Sequence, residues 1–173
     1  MLLRFVLAGL IITSVSARAD EQMRKLAASG NWLAMAHSPS MTAPDDVCLL
    51  ASPAGGGAIA LRFGENHVEF RVSNTSWALP ASIEGAVSIS INQLNRTFPI
   101  ADNTDQSVTT IVPDEDLAGL FAAMDKGSAM AVTVGKAKPI TVSLAGSTRA
   151  TNAFRTCAHI QGAPSQSGSN PFQ

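Results

Sequence analysis

The chain has 173 residues and a formal charge of −1, with 46% hydrophobic and 14% charged residues. That balance excludes a basic stripe for nucleic acid and an acidic tail, and the length suits one domain with a real core. Two tryptophans and no tyrosine leave few aromatics for a carbohydrate- or protein-binding surface.

Residues 1–19 read as a secretory signal peptide. Arg4 is its charged region, residues 5–12 are an apolar run too short to span a bilayer, and Ala17-Arg18-Ala19 has the small-x-small form that signal peptidase cuts. Cleavage is expected before Asp20. It removes Arg4 and Arg18, the only charges of the segment, and takes the formal charge from −1 to −3. No later run is apolar enough for a membrane helix, and no cysteine near the cut invites a lipid anchor. The mature protein is expected in the periplasm or outside the cell. Cys48 and Cys157, the only two cysteines, are expected to pair in that oxidising destination.

Residues 20–28 read as a short helix stopped by Gly30-Asn31, and 32–36 as a first strand containing Trp32. Pro39 and Pro44 make 37–46 a loop. Residues 47–51 form a strand carrying Cys48, and 53–57 a glycine-rich turn. The clearest hairpin is 58–73. Ile59, Leu61 and Phe63 share a face with Val68, Phe70 and Val72 when the loop has two or four residues, and this register sets Arg62 opposite Glu69. A connection containing Trp77 and Pro80 covers 74–85. Strands are expected at 86–92, 96–100 and 107–112, with a polar turn at 102–105. The period then becomes helical. Leu117, Leu120, Phe121 and Met124 mark a buried face, Asp114, Glu115 and Asp116 suit the N-terminus, Pro113 the first turn, and Gly127 the C′ position. A strand at 129–134 and a turn at 135–139 lead to a final strand, 140–144. Ser147 is the expected N-cap of a last helix with Ala150, Ala153, Phe154, Cys157 and Ala158 on one face. His159 follows where a helix C-terminus favours a cation. Residues 161–173 are poor in apolar side chains and are expected to be disordered.

The tally is seven to nine short strands and two helices. It predicts a mainly β (α+β) fold: an antiparallel β-sandwich or open barrel, residues 20–160, with the last helix disulfide-linked to an early strand.

Sites of known chemistry are scarce. His37 in a loop, His67 at a hairpin turn and His159 after a helix have no second ligand at metal-site spacing. Cys48 and Cys157 do not form a CxxC pair. There is no G-x-S-x-G elbow, P-loop or G-x-G-x-x-G, and Gly55-Gly56-Gly57 lacks the lysine of a phosphate site. Asp114-Glu115-Asp116 matches helix-dipole compensation better than paired acid–base carboxylates. No catalytic residue, metal or cofactor is assigned. The binding candidates are Trp77, the better-placed tryptophan for a contact, and His37 in its loop.

An export signal, an early tryptophan, a cysteine strand and a β-rich middle precede Ser143-Leu144-Ala145-Gly146-Ser147-Thr148-Arg149-Ala150. This order and closing segment resemble the invasion-associated locus B family of exported proteobacterial proteins. They are also similar to periplasmic proteins associated with type VI secretion. The resemblance implies a β-rich envelope accessory protein without catalytic residues. Ala36 stands where the locus B pattern often has a cysteine, so no residue-level site is carried over. The leading expectation is a non-enzymatic envelope protein that binds a protein or cell-wall component. The alternatives are an inhibitor or immunity protein against a cell-wall enzyme, inserting loop 37–46 or 74–85 into its target, and a hydrolase of unfamiliar design.

Overall fold

The computed structural model describes residues 22–39 and 44–160; the expected signal peptide, part of the expected loop 37–46 and the expected disordered tail 161–173 fall on residues outside them. Eleven strands and two helices are present among the described residues. Strands β1 (Gln22–Ser29), β2 (Trp32–Ser38), β3 (Val47–Ala54), β4 (Gly57–Gly64), β5 (His67–Asn74), β9 (Ser107–Val112) and β8 (Asp102–Asn103) lie in that order in one antiparallel sheet. A second sheet has the order β11 (Ile140–Ser143), β10 (Ala129–Val134), β6 (Ala86–Ile91), β7 (Leu94–Pro99). The smaller sheet lies over the larger, β11 against β3 and β7 against β9. Helix α2 (Ser147–Cys157) covers β1, β2 and β3, and α1 (Asp114–Lys126) packs on α2 and β7. This is the expected sandwich with two helices, and Cys48 is bonded to Cys157 across 109 positions.

Alternation builds the sheets. In β4 and β5, Ile59, Leu61, Val68, Phe70 and Val72 are buried with 1% exposure or less. Burying one such side chain is worth about 1.5–3 kcal/mol. The hairpin closes through Glu65 and Asn66, both left-handed at φ 54° and 64°, a two-residue loop of the primed type. Arg62 therefore pairs with Glu69, and their side chains come within 3.5 Å. Phe121 of α1 and Phe154 of α2 meet at 6.1 Å between ring centroids and lock the two helices together. Trp32 is 1% exposed, and its Nε1 donates to the Ser143 carbonyl at 2.8 Å, tying β2 to β11.

Several local expectations are corrected. Residues 22–29 form strand β1 instead of a helix, because β2 offers them a ladder and α2 a cover. The turn expected at 53–57 shrinks to Gly55-Gly56, with Pro53 and Ala54 completing β3. The polar turn at 102–105 contains the short strand β8. Gly146, at φ 82°, is the N-cap of α2; Ser147 is buried, and its Oγ donates to the Met124 carbonyl at 3.2 Å. Gly146 is needed because the β11–α2 turn interlocks with the β1–β2 turn: a Cβ on it would sit 2.8 Å from the Ser29 carbonyl carbon. Gly127 ends α1 in extended conformation, φ −82°, not in the left-handed C′ form.

Candidate functional site at the disulfide end

Antiparallel order sends the start of β1, β3 and β5 and the end of β2, β4 and β9 to one end of the large sheet. Helix α1 starts there, two residues after β9. The disulfide brings the C-terminus of α2 to the same end, because Cys48 lies near the start of β3.

Helix α2 stops in a Schellman closure. The Ile160 amide donates to the Arg155 carbonyl at 3.0 Å and the His159 amide to Thr156 at 3.4 Å. His159 is thereby held left-handed at φ 53°, a conformation that costs most side chains about 1–2 kcal/mol. The backbone thus presents His159 outward, between two hollows.

The first hollow, about 520 Å³, is bounded by Arg24 and Lys25 of β1, Asp45 of the β2–β3 connection, and Thr156, Cys157 and His159. The second, about 430 Å³, has an apolar floor of Phe63, Leu117, Ala158 and Ile160 with Asn66, Asp114 and His159 at its rim. One wall is therefore polar and cationic, and the other apolar.

Among the described residues, two side-chain contacts hold the β2–β3 connection at this end. Arg24 Nη2 donates to Asp45 Oδ2 at 2.6 Å. His37 Nδ1 lies 2.6 Å from Asp46 Oδ1, and the Asp46 amide donates to the His37 carbonyl at 3.0 Å. The His37 hydrogen bond holds the Asp46 carboxyl below the usual carboxylate range. Asp45 Oδ2 also lies 3.9 Å from Cys157 Sγ, a contact only, since a disulfide sulfur has no hydrogen to donate.

The two binding candidates are not brought together. His37 sits at the disulfide end, while Trp77 follows β5 at the opposite end, partly buried against the core. The connection holding Trp77 is stapled by Asn74 to the Gly55 carbonyl at 3.0 Å, by the Leu79 amide to Asp105 at 2.8 Å, and by Asn103 to Pro80 at 2.8 Å. His67 lies within 3.5 Å of Glu69, beside the hairpin turn. His159 shares its hollows with Asp45 and Asp114, but among the described residues no hydrogen bond joins it to either. Among the described residues no group of three or more His, Cys, Asp or Glu gathers as a metal site, and no helix is long and apolar enough to cross a membrane.

Arg24, Lys25, Asp45 and Asn66 escaped sequence reasoning as site residues, and no local motif marks them; Asp114 is legible in the sequence only as part of the acidic start of α1. The Cys48–Cys157 pairing was the available signal, because bonding position 157 to position 48 places 159 beside 45 and 63. No family model matches the chain, and no curated protein or solved structure matches it either.

Proposed function

We propose that this is an exported, non-enzymatic envelope protein that binds a partner protein or cell-wall component at its disulfide end, in the manner that the likeness to the locus B family implies. The observation that carries the reading is the pair of hollows meeting at His159. They combine an apolar floor with a charged rim, the composition of a contact surface. Their walls come from β1 and β4, which are strands of one sheet, and from α1 and α2, the latter bonded to β3 of that sheet by the disulfide, so the surface is preorganised and little ordering entropy opposes binding. The disulfide is also compatible with an oxidising destination after export.

The test is capture from an envelope extract by the oxidised protein from Asp20 onward, with mass spectrometry of what is retained. Thr156→Arg plugs the first hollow and Ala118→Arg the second, both at exposed positions. Loss of one stoichiometric partner with either plug supports the reading. A partner retained equally by both plugged variants overturns it.

One observation favours the inhibitor reading as a second: the connection 74–85 is stapled at its base and exposes Ala81, Ser82 and Glu84, the form of a preorganised inserting loop. Deleting it would strip Trp77, Leu79 and Ile83 from the core, so the informative change is Ala81→Arg. Loss of capture with this variant alone, and inhibition of the captured enzyme by the parent protein, would select that reading.

A further inference from the structure

The first hollow runs beside an open sheet edge. β1 is the last strand of the large sheet, and among the described residues no strand pairs with its outer side. With eight residues it is the longest such edge; β8 has two, β11 four and β7 six. A free edge offers backbone donors and acceptors that an incoming extended segment can satisfy, while nearby pockets read alternate side chains. Here the pocket is in place: Arg24, Lys25 and Leu26 of β1 form one wall of the hollow, and Ala153, Thr156 and Cys157 of α2 the other.

Charge selects the occupant. β1 holds Arg24 and Lys25 and no acidic residue. Arg24 already engages Asp45. Lys25 is exposed and has no ion-pair partner among the described residues. A second copy pairing antiparallel about Lys25 would bring cation against cation, whereas the bulge between Lys25 and Ala27 interrupts the ladder of any incoming strand alike and so does not select among occupants. A segment with an acidic side chain meets Lys25 as an opposite charge, the one carboxylate lining the hollow among the described residues, Asp45, being already engaged by Arg24. Met23, 49% exposed next to this pair, adds apolar area for the segment's neighbouring residues.

We propose that the outer edge of β1 accepts an extended, acidic segment of a partner protein as an added strand, with one of its side chains lodged in the adjoining hollow. This rests on the binding reading above and names the chemistry of its partner.

The probe is a fluorescein-labelled octapeptide of alternating valine and threonine with a central glutamate, titrated by fluorescence anisotropy into the oxidised protein. Two further peptides are N-methylated on one or the other alternate set of amides, and a fourth has lysine in place of glutamate. Strand addition uses one edge of the peptide, so one methylated frame should lose more than about tenfold in affinity and the other should bind unchanged. Lys25→Glu should weaken the acidic peptide about tenfold and improve the lysine peptide. Lys25→Gln gives an intermediate loss and serves if the charge reversal does not fold. Absence of saturable binding, equal binding by both methylated frames, or binding of muramyl dipeptide alone overturns the proposal. If the peptides fail while Thr156→Arg still abolishes envelope capture, strand addition is wrong and the binding reading survives.

Discussion

Removing the disulfide tests how the whole fold is closed. Cys48 is 1% exposed on β3, and Cys157 ends the helix that covers β1, β2 and β3. The bond closes a loop of 109 positions. In the chain-entropy model, a loop of that length restricts the unfolded chain by an amount worth about 4.8 kcal/mol at room temperature. Replacing Cys48 by Ala also removes a buried sulfur and adds about 1 kcal/mol of lost packing. Cys48→Ala with Cys157→Ala should therefore lower stability by about 5–6 kcal/mol, or about 15–20 °C in Tm for a domain of this size. Urea unfolding with tryptophan fluorescence is the assay, since Trp32 lies in the core beside the closing strand. The urea slope should rise as well, because an uncrosslinked unfolded chain exposes more surface. Coincident unfolding curves for the oxidised parent, the reduced parent and the double variant would refute the reasoning. They would mean that α2 holds its place by packing alone.

Other expectations follow from single contacts. Trp32→Phe removes the donor to the Ser143 carbonyl and part of the core volume, so urea midpoints should show a loss of about 2–3 kcal/mol; a loss below half of that would mean the β2–β11 tie is of little consequence. Glu65→Asn combined with Asn66→Gly relieves two left-handed residues at the hairpin turn and should raise stability by about 1 kcal/mol in the same assay. An unchanged or lowered midpoint would argue against the two-residue loop. His37 holds the Asp46 carboxyl below its usual range, so the unfolded chain binds the proton first as pH falls. The stability from this contact is whole above about pH 3.9 and is lost as the pH drops through the lower native value. Asp46→Asn should therefore flatten the acid limb of a stability–pH profile. An acid limb identical to that of the parent would rule out the His37–Asp46 contact in solution.

The middle of the fold was legible because its signals are local. Alternation from Ile59 to Val72 across a loop of two or four residues determined both faces of the hairpin and the Arg62–Glu69 pairing, since a slip of one residue would turn the buried set to water. The helical period through Leu117, Phe121 and Met124, with acids before it, determined α1 in the same way. Residues 22–29 carried the opposite lesson. Met, Arg, Lys, Leu and Ala form helices well in isolation, yet the segment became β1 once β2 supplied a ladder and α2 a cover; strand preference is largely a property of neighbours. Ser147 had the chemistry of an N-cap, but the close approach of two turns gave that place to Gly146 and sent the hydroxyl to α1.

The sequence by itself determined the alternating strands, the amphipathic helices and the one cysteine pairing available, because each depends on residues a few positions apart or on a count. Only the tertiary structure decided where the surface hollows lie. The walls around His159 come from positions 24, 45, 63, 114 and 157, which no periodicity connects. They meet because antiparallel strand order and a bond between Cys48 and Cys157 return distant segments to the same end of one sheet.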